Sequence, residues 1–179
     1  MTCGIILITA LATLTADAAS YGKTYSKWTK SDRSYEFNTL DANLVWRAMM
    51  LNSEMIDAQV KFLEDKNIRD EIGLLKREEE LSNCIAFAID IYSIEGLKGF
   101  SMDPASTWKI YLTGADGEET PPIKIQPITV TATHRALYPD ITKWSRLYLV
   151  EFPKIDLGKR PELTIRSVAA ESTLKWKIK

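Results

Sequence analysis

The chain has 179 residues, 45% of them hydrophobic and 26% charged, with 23 Lys and Arg against 24 Asp and Glu. That length suits one domain around a single core, and the composition excludes a disordered chain or one built mainly of membrane spans. Near-neutrality argues against a nucleic-acid binder, whose affinity comes from clustered Lys and Arg that release counterions from the phosphate backbone.

The apolar run from Ile5 to Leu14, followed by Ala16-Asp17-Ala18, has the form of a signal-peptide hydrophobic region with an Ala-x-Ala cleavage site. It falls short of the ~20 apolar residues that a lasting transmembrane helix needs. We therefore expect a leader at residues 1–18, a mature domain at residues 19–179, no integral span after cleavage, and a periplasmic, cell-envelope or extracellular location. No Lys or Arg precedes the run, and Cys3 stands before it, the wrong side for lipid attachment at the cleavage point. Cleavage removes Asp17 and no basic residue, so 24 acidic side chains become 23 against 23 basic ones. Cys84 is then the sole cysteine, which excludes an intramolecular disulfide and leaves stability to packing.

Residues Ala19 to Lys30 are polar with interleaved Tyr21, Tyr25 and Trp28, and read as a short helix or extended lead-in anchored by Trp28. From Tyr35 to Met49 the pattern has period two, with Leu40, Ala42, Leu44, Trp46 and Ala48 on one side, which predicts a strand with one buried face. The period then lengthens. Asn52 or Ser53 caps a helix with Glu54 and Asp57 in its first turn and a stripe of Ile56, Val60 and Leu63. A second helix is expected from Asn67, with Asp70 three residues on and Ile68, Ile72 and Leu75 as its stripe, so residues 52–82 form a helical insert.

The remainder reads as β. Cys84 to Tyr92 predicts a central strand with Ile85, Phe87, Ile89 and Ile91 on one face and small or polar residues on the other. Thr107 to Thr113 alternates Trp108, Ile110 and Leu112 with Lys109 and Tyr111, and ends in the turn Gly114-Ala115-Asp116-Gly117. Pro121-Pro122 opens a strand from Ile123 to Thr133, with Pro127 at an edge because it cannot donate to a ladder. Arg146 to Phe152, Glu162 to Val168 and Thr173 to Ile178 are the last three strands, the final two forming a hairpin. The fold class is thus mainly β with a helical insert (α+β), an immunoglobulin-like antiparallel β-sandwich of about seven strands.

The order Tyr25…Trp28-Thr29-Lys30…Tyr35, then Leu51-Asn52-Ser53-Glu54, then Ser106-Thr107-Trp108…Tyr111-Leu112…Gly117…Pro121…Ile123 resembles a group of uncharacterised bacterial exported proteins and lipoproteins. The resemblance implies a β-sandwich interrupted by helices near its start and an exported location. It implies no activity, and the missing lipobox departs from the lipid-anchored members.

Reactive chemistry is sparse. His134 is the sole histidine, in Thr133-His134-Arg135-Ala136-Leu137-Tyr138-Pro139, read as a strand end entering a loop with a solvated imidazole. A Cys84/His134 dyad is the one nucleophile–base pairing to weigh, and the expectation is a packed, inert Cys84. One Cys and one His do not make a zinc site, and Asp70-Glu71 and Glu78-Glu79-Glu80 lack the spacing of a calcium or magnesium loop. No metal, cofactor or catalytic residue is assigned. Asp90, alone among apolar neighbours, is expected either to face solvent on an alternating strand or to meet a basic partner such as Arg146, a structural role and not acid catalysis. Trp46, Trp108 and Trp176 read as core.

The ligand-binding candidates are Trp144 and Tyr138, with His134, in the loop between strands. The expected function is a non-catalytic exported binding or assembly module of the bacterial cell envelope, offering sheet edges or loops to another envelope protein. A carbohydrate-binding module stacking sugars on Trp144 and Tyr138, and a hydrolase using His134, are the alternatives.

Overall fold

A computed structural model describes residues 20–35, 42–70, 72–74, 83–92, 108–167 and 171–178, together with Glu79, Leu81 and Met102. The expected leader, residues 1–18, lies outside the described residues. A helix α1 over residues 20–28 leads into β1 (Thr29–Tyr35) and β2 (Ala42–Leu51), then α2 (Ser53–Asp65), β3 (Cys84–Tyr92), β4 (Lys109–Thr113) and β5 (Glu119–Thr120). After these come β6 (Lys124–Ile128), α3 (Ala132–Leu137), β7 (Arg146–Pro153), β8 (Glu162–Arg166) and β9 (Glu171–Lys175). Sheet I runs β1-β2-β3-β7-β6 and sheet II runs β5-β4-β8-β9, every pair antiparallel.

The mainly-β sandwich with inserted helix is therefore present, with nine described strands instead of about seven. One extra strand is β1, whose sequence TKSDRSY is too polar to signal a strand; it forms because β2 supplies a paired edge for it. The other is the two-residue β5, too short for any periodicity to show.

The central strands of sheet I are buried on both faces. On the inner face Trp46, Phe87 and Phe152 meet sheet II, with the Phe87 ring 5.3 Å from that of Trp176 and edge-on to Phe152 at 5.8 Å. On the outer face α2 lays Met55, Ile56, Gln59 and Leu63 against the sheet, and Gln59 Nε2 donates to Met49 Sδ at 3.4 Å. Ala86 and Ala88 occupy that face of β3, and their small size lets the helical layer approach closely. α1 joins the layer by stacking Tyr21 on Phe62, centroids 4.4 Å apart. The central strand expected at β3 is present, and both of its faces are covered.

Asn52 caps α2 as expected, its Oδ1 accepting from Met55 N at 2.9 Å. The second helix does not begin at Asn67. Asn67 takes the left-handed conformation at φ 52° and ends the first helix, residues 66–70 are non-helical, and Asp70 Oδ2 instead accepts from the N–H of Leu74, a helical residue. Leu75 lies outside the described residues.

One side of the sandwich is closed by polar bonds between layers. Trp46 Nε1 donates to Ser172 Oγ at 2.7 Å, Ser172 Oγ donates to Asp32 at 2.6 Å, and Trp176 Nε1 donates to the Trp28 carbonyl at 2.8 Å. These bonds tie β1, β2 and the end of α1 to β9 and the residue after it. On the other side Pro121-Pro122 carries the chain from β5 in sheet II to β6 at the edge of sheet I. There the sheets part.

Candidate functional site

The three loop candidates do not form a shared platform. Residues 129–131 leave the strand, and Thr131 opens α3 with a capping box. Its N–H donates to His134 Nδ1 at 3.2 Å, its hydroxyl lies 2.8 Å from the same nitrogen, and His134 N donates back to Thr131 Oγ1. His134 is therefore helical and 4% exposed, not a solvated loop residue; its ring occupies the N3 position that Glu or Gln more often takes. Accepting at Nδ1 places the proton of the neutral ring on Nε2.

Tyr138, 5% exposed, lies nearly parallel to the His134 ring at 6.2 Å. Trp144 is 60% exposed and accompanied by Lys143, whose ammonium lies 4.7 Å from the ring centroid. A stacking platform needs coplanar exposed rings, and here two of the three are buried.

The structure does not bring Cys84 to His134. Tyr138, the neighbour of His134, lines the same small cavity as Asp90, and Cys84 stands six residues along β3 from Asp90, about 20 Å at ~3.3 Å per residue. Among the described residues no three His, Cys, Asp or Glu side chains group as metal ligands.

Asp90 meets Arg47, its cross-strand partner on β2, and not Arg146. Both Nε, at 3.0 Å, and Nη2 of Arg47 bond Asp90 Oδ2, while Nη2 also donates to the Asp140 carbonyl at 2.6 Å. Tyr25 donates to Asp140 Oδ2 at 3.0 Å. Burial, then the neighbouring Asp140 charge, push the Tyr25 hydroxyl well above its ordinary pKa of 10.0. The space among Tyr25, Thr29, Arg47, Asp90, Tyr138 and Asp140 is only about 10 Å³, so this network joins α1, sheet I and the α3–β7 link without room for an organic ligand.

A large pocket lies where the sheets part. It measures about 290 Å³ and is lined by Trp108, Ile110 and Tyr111 around β4, Ile165 of β8, Met102, and the crossing from Pro121 through Ile125. Ile123, 62% exposed, stands at its rim. Its charged lining residues are Lys109 and Lys124, the latter 3.0 Å from Glu151 on β7. On the outer face of sheet II, Arg166 sits 5.7 Å from the Tyr111 ring and is held by Glu119 and Glu171, which raise its pKa further.

Sequence reasoning placed Trp108 and Ile110 in the core and missed the pocket, because its lining comes from four separate stretches of chain. The signal was Ile123, an apolar residue directly after two prolines. Among the described residues no helix is long and apolar enough to cross a membrane. No protein-family model and no curated protein matches the chain.

Proposed function

We propose that the protein is an exported, non-catalytic binding module of the bacterial cell envelope that takes a small apolar ligand between its two sheets. The observation that carries this reading is the 290 Å³ pocket, walled by Trp108, Ile110, Ile125 and Ile165 and edged by the exposed Ile123. Concave apolar sites with few polar groups are the usual form of a small-molecule site. The apolar run Ile5–Leu14 with Ala16-Asp17-Ala18 supports export.

A ligand in the pocket is favoured over a partner strand at an edge. The edge strand β6 carries Pro127, β5 has only two residues, and β1 lies beside β9 through the Asp32–Ser172 bond. Prolines, short strands and covered edges all blunt strand addition.

Titration with the neutral fluorophore 1-N-phenylnaphthylamine tests this reading. Saturable binding is expected, lost in Ile125→Trp, which fills the pocket, and weakened in Ile123→Asp, whose site is exposed enough to leave the fold intact. Absence of saturable binding, or binding unchanged in both variants, overturns the proposal.

A further inference from the structure

Resting on the pocket reading above, we infer that the natural ligand is a compact, uncharged apolar molecule bearing one hydroxyl or N–H donor, which bonds a backbone carbonyl on the edge of β4. The pocket is about twice the volume of the ~150 Å³ apolar cavity known to admit benzene, which sets the ligand body at about ten carbons. Lys109, Ile110 and Tyr111 are consecutive in β4, and all three line the recess. Side chains of consecutive strand residues point to opposite faces, so what the three share is the backbone edge of the strand. β5 pairs with that edge only at Leu112–Thr120 and Thr113–Glu119. Continued, the same register sets Tyr111 opposite Pro121 and Ile110 opposite Pro122, and both prolines line the recess too.

An antiparallel ladder alternates residue pairs that exchange two N–H···O bonds with pairs that exchange none. One of these two positions is therefore where the Ile110 or the Tyr111 carbonyl would accept from the residue opposite, and a proline there has no N–H to give. Ile123, next along the crossing, commits its N–H to the Glu151 carbonyl at 2.8 Å. The edge of β4 thus turns toward the recess a carbonyl for which the crossing supplies no donor, and a hydroxyl or N–H on the ligand completes it. A charged ligand finds no such complement. Lys124 is bonded to Glu151 at 3.0 Å, and Lys109, on the outer face of sheet II with Tyr111 and Arg166, has a partner of its own. An ion entering the apolar recess would lose its hydration without an unpaired counter-charge to meet.

Displacement of bound 1-N-phenylnaphthylamine by 2-naphthol, 2-methoxynaphthalene and 2-naphthoate at neutral pH tests the inference. The three share a ring system; the first carries a donor, the second has it capped by a methyl group, and the third is an anion. Once each neutral compound is corrected for its own partition into octanol, 2-naphthol is expected to displace the probe at about fivefold lower concentration than 2-methoxynaphthalene, the increment of one net hydrogen bond. The anion should be the weakest of the three. In a crystal structure of the 2-naphthol complex the hydroxyl should lie within hydrogen-bond distance of the Ile110 or Tyr111 carbonyl oxygen. Either of the other compounds matching 2-naphthol against a probe that binds normally, or a hydroxyl turned away from both carbonyls, overturns the donor inference and leaves the apolar pocket standing. Failure of the probe itself to bind overturns the pocket reading instead.

Discussion

Arg47→Met tests what holds the helical layer onto sheet I. The Arg47 and Asp90 side chains are 20% and 9% exposed, so the pair is largely withdrawn from water. Asp90 Oδ2 receives two bonds from the guanidinium, and Oδ1 is buried with no hydrogen-bond partner among the described residues. Removing Arg47 leaves a buried carboxylate with neither counter-charge nor donor, a change that typically costs 3–5 kcal/mol. Residual solvent access at Arg47 puts the expectation at the lower end, about 3 kcal/mol. With a urea slope of roughly 2 kcal/mol/M, the unfolding midpoint should fall by about 1.5 M.

The double variant Arg47→Met/Asp90→Leu removes both charges, and with them the desolvation penalty. It should unfold within about 1 kcal/mol of the parent, because apolar replacement of a buried pair is often neutral. The cycle then gives a coupling energy of at least about 2 kcal/mol. Equilibrium urea unfolding followed by far-UV circular dichroism reads all four proteins. A single Arg47→Met variant within about 0.5 kcal/mol of the parent, or a double variant as unstable as the sum of the singles, refutes the argument.

Three further outcomes are expected. Gly114→Ala should destabilise by about 1 to 3 kcal/mol in thermal melts, because its Cβ would lie 2.3 Å from the Asp156 carbonyl oxygen, the acceptor for Ala115 N. Tyr21 and Tyr25 are both held neutral chiefly by burial, so the stability they confer is full below their unfolded value of 10.0 and lost as pH rises above it; Tyr25→Phe should flatten that alkaline loss in a pH series of urea midpoints. His134→Ala should lower stability by about 1 to 2 kcal/mol through loss of the capping box and of buried ring volume, whereas Trp144→Ala should move the midpoint by no more than about 0.5 kcal/mol; the reverse order would show that the exposed indole, not the imidazole, packs the α3–β7 region.

The parts of the fold legible in the sequence were those whose local pattern matches their burial. β3 alternates branched apolar residues with small ones, α2 begins at Asn52 with apolar residues at helical spacing, and β8 and β9 form the expected hairpin. The parts that were not legible depend on partners distant in sequence. β1 is a strand because β2 pairs with it, and nothing in TKSDRSY demands one. α3 has only six residues, too few for a period to show, and its capping box uses His134 in place of Glu or Gln. Asp90 announced a buried partner by its apolar surroundings, but the register that sets Arg47 opposite it is a property of the assembled sheet.

The pocket was hidden for a related reason. Its apolar walls, taken alone, have the signature of core: Trp108 and Ile110 alternate with polar residues into β4, and Ile165 sits among buried neighbours on β8. What turns that core into a recess is the crossing between sheets. Pro121 and Pro122 have no N–H to give, so the crossing cannot be zipped onto either sheet through their nitrogens, and the ladder to β7 resumes only where Ile123 N donates to the Glu151 carbonyl at 2.8 Å. On the opposite side the sheets are drawn together by indole and hydroxyl donors from Trp46, Trp176 and Ser172. The same two sheets are thus tied where the sequence supplies donors between the layers and part where it supplies prolines, which is why the recess lies at the β4–β6 side and why its walls are the apolar faces that a closed sandwich would have buried.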